Sequence, residues 1–142
     1  MIYVDTNALL SLLLPGRGDD HEIMLEQVRE LGGLVVCEAV LVQTMWVLED
    51  AYAIERADGA NLLRDVLRTE GLVAWDPDLA DDALELMGGS PKLSIVDSLL
   101  AMRAQRNHGV LTFDRGLARA IERSWLIDRA GAKPGSQRAL TE

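Results

Sequence analysis

Short, continuous apolar runs alternate along this chain with longer stretches of helical period. Ile2 to Val4 predicts a buried strand, and Ala8 to Leu14 a short helix stopped by Pro15-Gly16. Asp19 or Asp20 is placed to cap a helix running to Leu31, with Ile23, Val28 and Leu31 near one face and Gly32-Gly33 at its end. Leu34 to Cys37 predicts a second strand, Ala39 to Ile54 a long apolar helix, and Asn61 to Thr69 an amphipathic one. Leu72 to Trp75 reads as a strand and Leu79 to Met87 as a helix closed by Gly88-Gly89. Ser94 is placed to cap a helix from Ile95 to Asn107. Val110 to Thr112 is the last expected strand and Leu117 to Arg123 a short helix, with a loose tail over roughly 131–142.

Strands that are continuous apolar runs, rather than alternating ones, are buried on both faces. Interleaved with helices they predict one α/β domain over 1–142, with a central, mainly parallel sheet flanked by helices. Ligands of such sheets bind beyond the carboxyl ends of the strands. Asp5 and Asp114 directly follow strands and fall on that rim.

Composition supports this picture. The chain has 142 residues, 49% of them hydrophobic, enough for a real core. The single Cys37 lies in an apolar run and reads as a small buried hydrophobe, and one cysteine makes no internal disulfide or zinc knuckle. A cytoplasmic setting fits that usage. The opening MIYVDTNALLSLLLPG lacks a basic leader and is not expected to be a signal peptide, and no uncharged run is long enough to span a membrane.

A net charge of −9 argues at first against a nucleic-acid ligand, but it is unevenly spread. Residues 1–91 carry 5 Lys and Arg against 18 Asp and Glu, a net of −13; residues 92–142 carry 9 against 5, a net of +4. A basic C-terminal third beside an acidic body could guide a polyanion, or simply be a solvated surface.

Candidate chemistry centres on three aspartates. Asp5-Thr6-Asn7 offers a carboxylate, a hydroxyl and an amide at a strand end; the same residues also cap helices. Asp97 sits in the first turn of an apolar helix, where the macrodipole favours it, and Ser94 precedes it by three residues. Thr112 and Asp114 follow the last strand, and Arg115 either steadies a phosphate or pairs with a surface acid. Three converging carboxylates repel one another unless a hard cation holds them. His21 and His108 read as structural, and Met45, Trp46, Leu48 and Tyr52 as core. No GxxxxGK[ST] or GxGxxG occurs.

Four segments carry a resemblance: VDTNALL from Val4, LVQTMWVLEDAY from Leu41, LSIVDSLLA from Leu93 and LTFDRGLA from Leu111. Together, in this order over nearly the whole chain, they resemble the PIN-domain ribonucleases, and more narrowly the VapC toxins of bacterial toxin–antitoxin pairs. The resemblance implies a three-layer PIN-like fold and an endoribonuclease dependent on Mg²⁺ or Mn²⁺. Asp5, Asp97 and Asp114 match three of the family's four acidic positions, as catalytic and metal-binding residues. Thr6, Asn7, Ser94 and Thr112 match its polar neighbours.

At the fourth position, where the family carries glutamate, this chain has Gln43, three residues before Trp46-Val47-Leu48. Glu49 is six residues on, roughly 600° around a helix, so it points about 120° away from Gln43 and is expected on a solvent or partner face. Gln43 marks either an inactivated toxin or a natural variant working with three carboxylates. The resemblance further implies a VapB-like antitoxin, a homodimer, RNA as substrate and operator DNA bound only through the antitoxin complex. The apolar stretches Leu9 to Leu14 and Val40 to Ala51 are expected to supply either an antitoxin groove or core. Two other readings stand beside it: a disabled PIN-fold binding module, and phosphoryl transfer through an aspartyl-phosphate on Asp5.

Overall fold

The structure, a computed structural model, describes residues 1–16, 18–106, 108–127 and 134–135. Among them, strands and helices alternate as the apolar runs predict: β1 (Ile2–Tyr3), α1 (Thr6–Leu13), α2 (Asp20–Leu31), β2 (Leu34–Val36), α3 (Glu38–Asp50), α4 (Arg56–Leu67), β3 (Leu72–Ala74), α5 (Pro77–Gly89), α6 (Ile95–Gln105), β4 (Val110–Thr112), α7 (Arg115–Ala120), β5 (Ser124–Ile127) and β6 (Pro134–Gly135). This is an α/β architecture of mainly parallel strands flanked by helices.

The strands form two sheets. β2 pairs in parallel with β1 on one side and β3 on the other, with Leu34 opposite both Ile2 and Leu72. β4 pairs in parallel with β5, placing Val110 opposite Ser124, and β6 adds antiparallel to β5. β2 is buried throughout, as a central strand covered on both faces must be. β1 is exposed along its length, and Leu111 of β4 is 69% exposed.

Two apolar clusters follow the two sheets. The larger joins Leu9, Val36, Leu41, Leu48, Leu63 and Leu84 with neighbours from α1 to α5. The smaller contains Leu93, Ala101, Ala104, Val110, Leu117 and Ile121. Helix α6 belongs to both: Ile95 and Leu99 enter the larger, Ala101 and Ala104 the smaller, and Met102 packs against each. Each fully buried leucine contributes about 1.5–3 kcal/mol of transfer free energy, so the larger cluster dominates cohesion.

Helix boundaries have local causes. Asp5, Asp76, Ser94 and Asp114 each accept a backbone N–H of the first turn of α1, α5, α6 and α7. Asp19 occupies the N-cap of α2 without a side-chain bond. Helix α3 ends at Asp50 rather than Ile54, because Ala53 turns left-handed at φ 50° and the Ile54 N–H reaches back to the Leu48 carbonyl at 3.0 Å. Helix α4 accordingly begins at Arg56, five residues before Asn61.

Several sequence expectations need correction. The last helix ends at Ala120, and Arg123 leads into β5, a strand absent from the sequence reading. Trp46 and Tyr52 are not core: they are 66% and 42% exposed. Cys37 is half-buried rather than buried. Leu9, Leu10, Leu12 and Leu13 are core, so that stretch supplies no groove. Most of the expected tail, like Asn107 at the expected end of α6, lies outside the described residues. Among the described residues no helix is long and apolar enough to cross a membrane.

Candidate functional site

The acid-bearing segments are placed by burial of their neighbours. On α3, Leu41, Thr44, Met45 and Leu48 face inward at the spacing of one helical stripe, which turns Gln43 outward. On α6, Ser98 is fully buried, and Asp97 beside it is half-buried at the helix start. The hydroxyls of Thr44 and Ser98 have no hydrogen-bond partner among the described residues, although both are sealed from solvent.

Gln43 does not stand alone. The Thr6 hydroxyl donates to its Oε1 at 2.9 Å, fastening the start of α1 to the outer face of α3. Asp5, one residue earlier, is exposed, and its Oδ1 accepts the Ala8 N–H at 2.9 Å. The structure therefore unites the first motif with the position where the resemblance expects glutamate. A glutamate at 43 would accept the same bond and add a charge beside Asp5.

Asp97 and Asp114 are set by comparable local bonds. Ser94 Oγ accepts the Asp97 N–H at 3.1 Å. The Asp114 N–H donates to Thr112 Oγ1 at 2.9 Å, and Asp114 Oδ1 accepts the Leu117 N–H at 3.1 Å. Each of Asp5 and Asp114 thus commits one carboxylate oxygen to capping. Asn7 and Arg115 are exposed. Arg115 opens α7 and makes no ion pair among the described residues.

Ion pairs hold α6 against the acidic body. Arg103 bonds Glu38 at the start of α3. Arg106 donates from Nη1 to Asp76 Oδ2 at 2.6 Å. That guanidinium, with the Leu79 N–H, holds the Asp76 carboxyl below the usual carboxylate range. Two cations of the basic C-terminal third are therefore engaged within the molecule. Arg64 likewise clasps Asp81 at 2.9 Å and depresses its carboxyl. Of the histidines, His21 lies with Nδ1 2.9 Å from the Ser11 carbonyl, a structural role, and His108 is exposed.

The donor set suits a hard divalent cation in kind, since every candidate offers oxygen. The arrangement does not: among the described residues no three Asp, Glu, His or Cys side chains come together closely enough to hold a metal ion. Asp5 caps the helix that follows β1 and Asp114 the helix that follows β4, and those strands lie in different sheets.

Asp5 and Asp114 stand at the starts of helices that follow parallel strands, the end at which α/β sheets bind their ligands. The family follows from the sequence: the model of the PIN domain matches residues 2–122, and the chain belongs to that family. Among solved structures, it is similar to the crystal structure of Mycobacterium tuberculosis VapC20, described as a sarcin-ricin loop cleaving toxin. That match covers 95% of this chain and 98% of the other, at 17% identity and a TM-score of 0.40. Likeness of that degree carries no function across. A comparison with curated protein sequences returned no match.

Proposed function

We propose that this chain is a VapC-type toxin, an endoribonuclease that hydrolyses RNA phosphodiester bonds and is neutralised by a VapB-like antitoxin. The PIN-family match over residues 2–122 carries the reading. In it Asp5, Asp97 and Asp114 are the catalytic and metal-binding acids, and Gln43 occupies the fourth catalytic position. Thr6, Asn7, Ser94, Thr112 and Arg115 are their polar supports. Support from geometry comes from the Thr6–Gln43 bond, which seats position 43 beside the first acid motif.

The proposed cofactor is Mg²⁺ or Mn²⁺. As the acids do not gather around one point, no step through a cation is drawn from this arrangement. The residues themselves indicate how position 43 acts. A neutral amide there keeps the hydroxyl contact and loses the charge, which lowers the pull on any cation or cationic partner near Asp5.

Partners follow the same reading. Trp46 on α3, with Val96 and Leu100 on the packed α6, are exposed apolar side chains of the kind that mark a protein–protein surface. An antitoxin segment is the proposed occupant, with a homodimer, a cytoplasmic setting and operator DNA bound only through the antitoxin complex as further parts of the proposal. One domain over residues 1–142 completes it.

The test is cleavage of a cellular RNA pool with Mg²⁺ by this chain and by Gln43→Glu. We expect Gln43→Glu to cleave at least tenfold faster, with chelation stopping both. Cleavage by neither chain contradicts the enzyme reading. It leaves the second reading, a PIN-fold binding module without nuclease activity, and excludes Gln43 as the single lesion.

A further inference from the structure

Arg56, the first residue of α4, joins three segments at one guanidinium. Its Nη1 donates to the Ser90 carbonyl at 3.3 Å and also to the Leu93 carbonyl. Its Nε lies 4.0 Å from Glu49 Oε1, near the end of α3. That Glu49 oxygen is sealed from solvent and has no hydrogen bond, so Arg56 is the cation that offsets it among the described residues. Glu49, expected on a solvent or partner face from its helical angle to Gln43, is half-buried with one oxygen turned toward Arg56. The bend at Ala53 brings Arg56 back beside it.

The two carbonyls belong to the loop between α5 and α6. Ser90 is the C-cap of α5, and Leu93 directly precedes Ser94, the N-cap of α6. A guanidinium is a planar fork of donors, suited to holding several acceptors in fixed geometry. Here it fixes where α6 begins. The Ser94 cap then sets the first turn through the Asp97 N–H, and the Ser98 N–H bonds the Ser94 carbonyl at 2.9 Å. Arg103 bonds Glu38 farther along α6, but it cannot fix the entry turn from there.

We propose that Arg56 is a positioning residue: anchored by Glu49 of α3, it holds the loop entering α6 and so places Asp97 relative to Gln43. The role in catalysis rests on the reading that Asp97 and Gln43 serve one nuclease site. The strap itself does not.

Backbone amide exchange in the full chain tests the strap directly. In Arg56→Ala the Asp97 and Ser98 amides exchange at least tenfold faster, while that of Leu84, inside α5, stays within twofold. Arg56→Lys, which keeps a cation near Glu49 with a smaller donor set, falls between the two and serves if the alanine variant does not fold. In a Gln43→Glu background, Arg56→Ala lowers kcat for RNA cleavage about tenfold and changes KM less than threefold. Wild-type exchange at Asp97 and Ser98 in both variants overturns the proposal. So does acceleration that Leu84 shares equally, which marks general loosening. If Gln43→Glu cleaves no RNA, the nuclease reading fails and the exchange rates alone decide the strap.

Discussion

The two sheets of this molecule are built on different scales. The sheet of β1 to β3 lies in a cluster that draws side chains from α1 through α6, and its central strand is wholly buried. The sheet of β4 to β6 rests on a cluster of only six buried residues, two of them alanine, and most of β5 is only half-buried. Asp5 and Gln43 stand on the large unit, Asp114 on the small one, and Asp97 on α6, the helix that enters both cores. Cohesion and chemistry are thus divided differently: one unit supplies most of the stability, yet the proposed site needs both.

Core truncation should expose this asymmetry most strongly. Leu63, fully buried in the large cluster, is expected to cost about 3–5 kcal/mol as Leu63→Ala. Leu117, in the small cluster, is expected near the bottom of the range for such changes, about 2 kcal/mol. Urea unfolding checks both values, and equal losses would break the comparison.

A smaller effect of opposite sign is expected at the end of α3. Ala53 holds φ 50°, a conformation that costs an L-residue roughly 1 kcal/mol more than glycine. Ala53→Gly should raise stability by up to about 1 kcal/mol in the same assay, while leaving the Glu49–Arg56 pair in place.

The smallest effect concerns the surface ion pairs of the large unit. Arg64 depresses the Asp81 carboxyl, so its contribution is complete above the ordinary carboxylate pKa and is lost as pH falls through the lowered one. Asp81 is more than a third exposed, and solvent screening limits the pair to about 0.5–1 kcal/mol. Asp81→Asn should lower the melting temperature at pH 7 by a few degrees and by less at pH 3.

How much of this was legible in the sequence follows the same division. The large unit is the more legible: Leu34 to Cys37 and Leu72 to Trp75 announce strands because each is a short apolar run that follows glycine and gives way to an acidic residue. In the small unit β5 was missed. Arg123-Ser124-Trp125 follows α7 with no Gly or Pro to mark a break, so the sequence predicts helix through to Arg123. Residue type predicts Trp46 and Tyr52 as core, but it does not say which helix face a side chain occupies, and both are exposed.

The site was legible as residue types, less so as geometry. Caps at Asp5, Ser94 and Asp114 were foreseen as alternatives to function, and the structure makes those bonds. The Thr6–Gln43 bond spans 37 positions, and nothing local announces it. The Arg56 strap was invisible for a similar reason: its pairing with Glu49 depends on the left-handed turn at Ala53, where the sequence shows an ordinary alanine in an unbroken helical run.

In the proposed nuclease, acids on the two unequal units serve one active site. Cleavage rates of Asp5→Asn, Asp114→Asn and the double variant, each made in Gln43→Glu, test it most directly. Groups acting as one unit lose activity non-additively, so either single change should abolish cleavage almost as fully as both together. If Asp114→Asn keeps its rate within twofold while Asp5→Asn abolishes it, the small unit stands outside the site and the account is wrong.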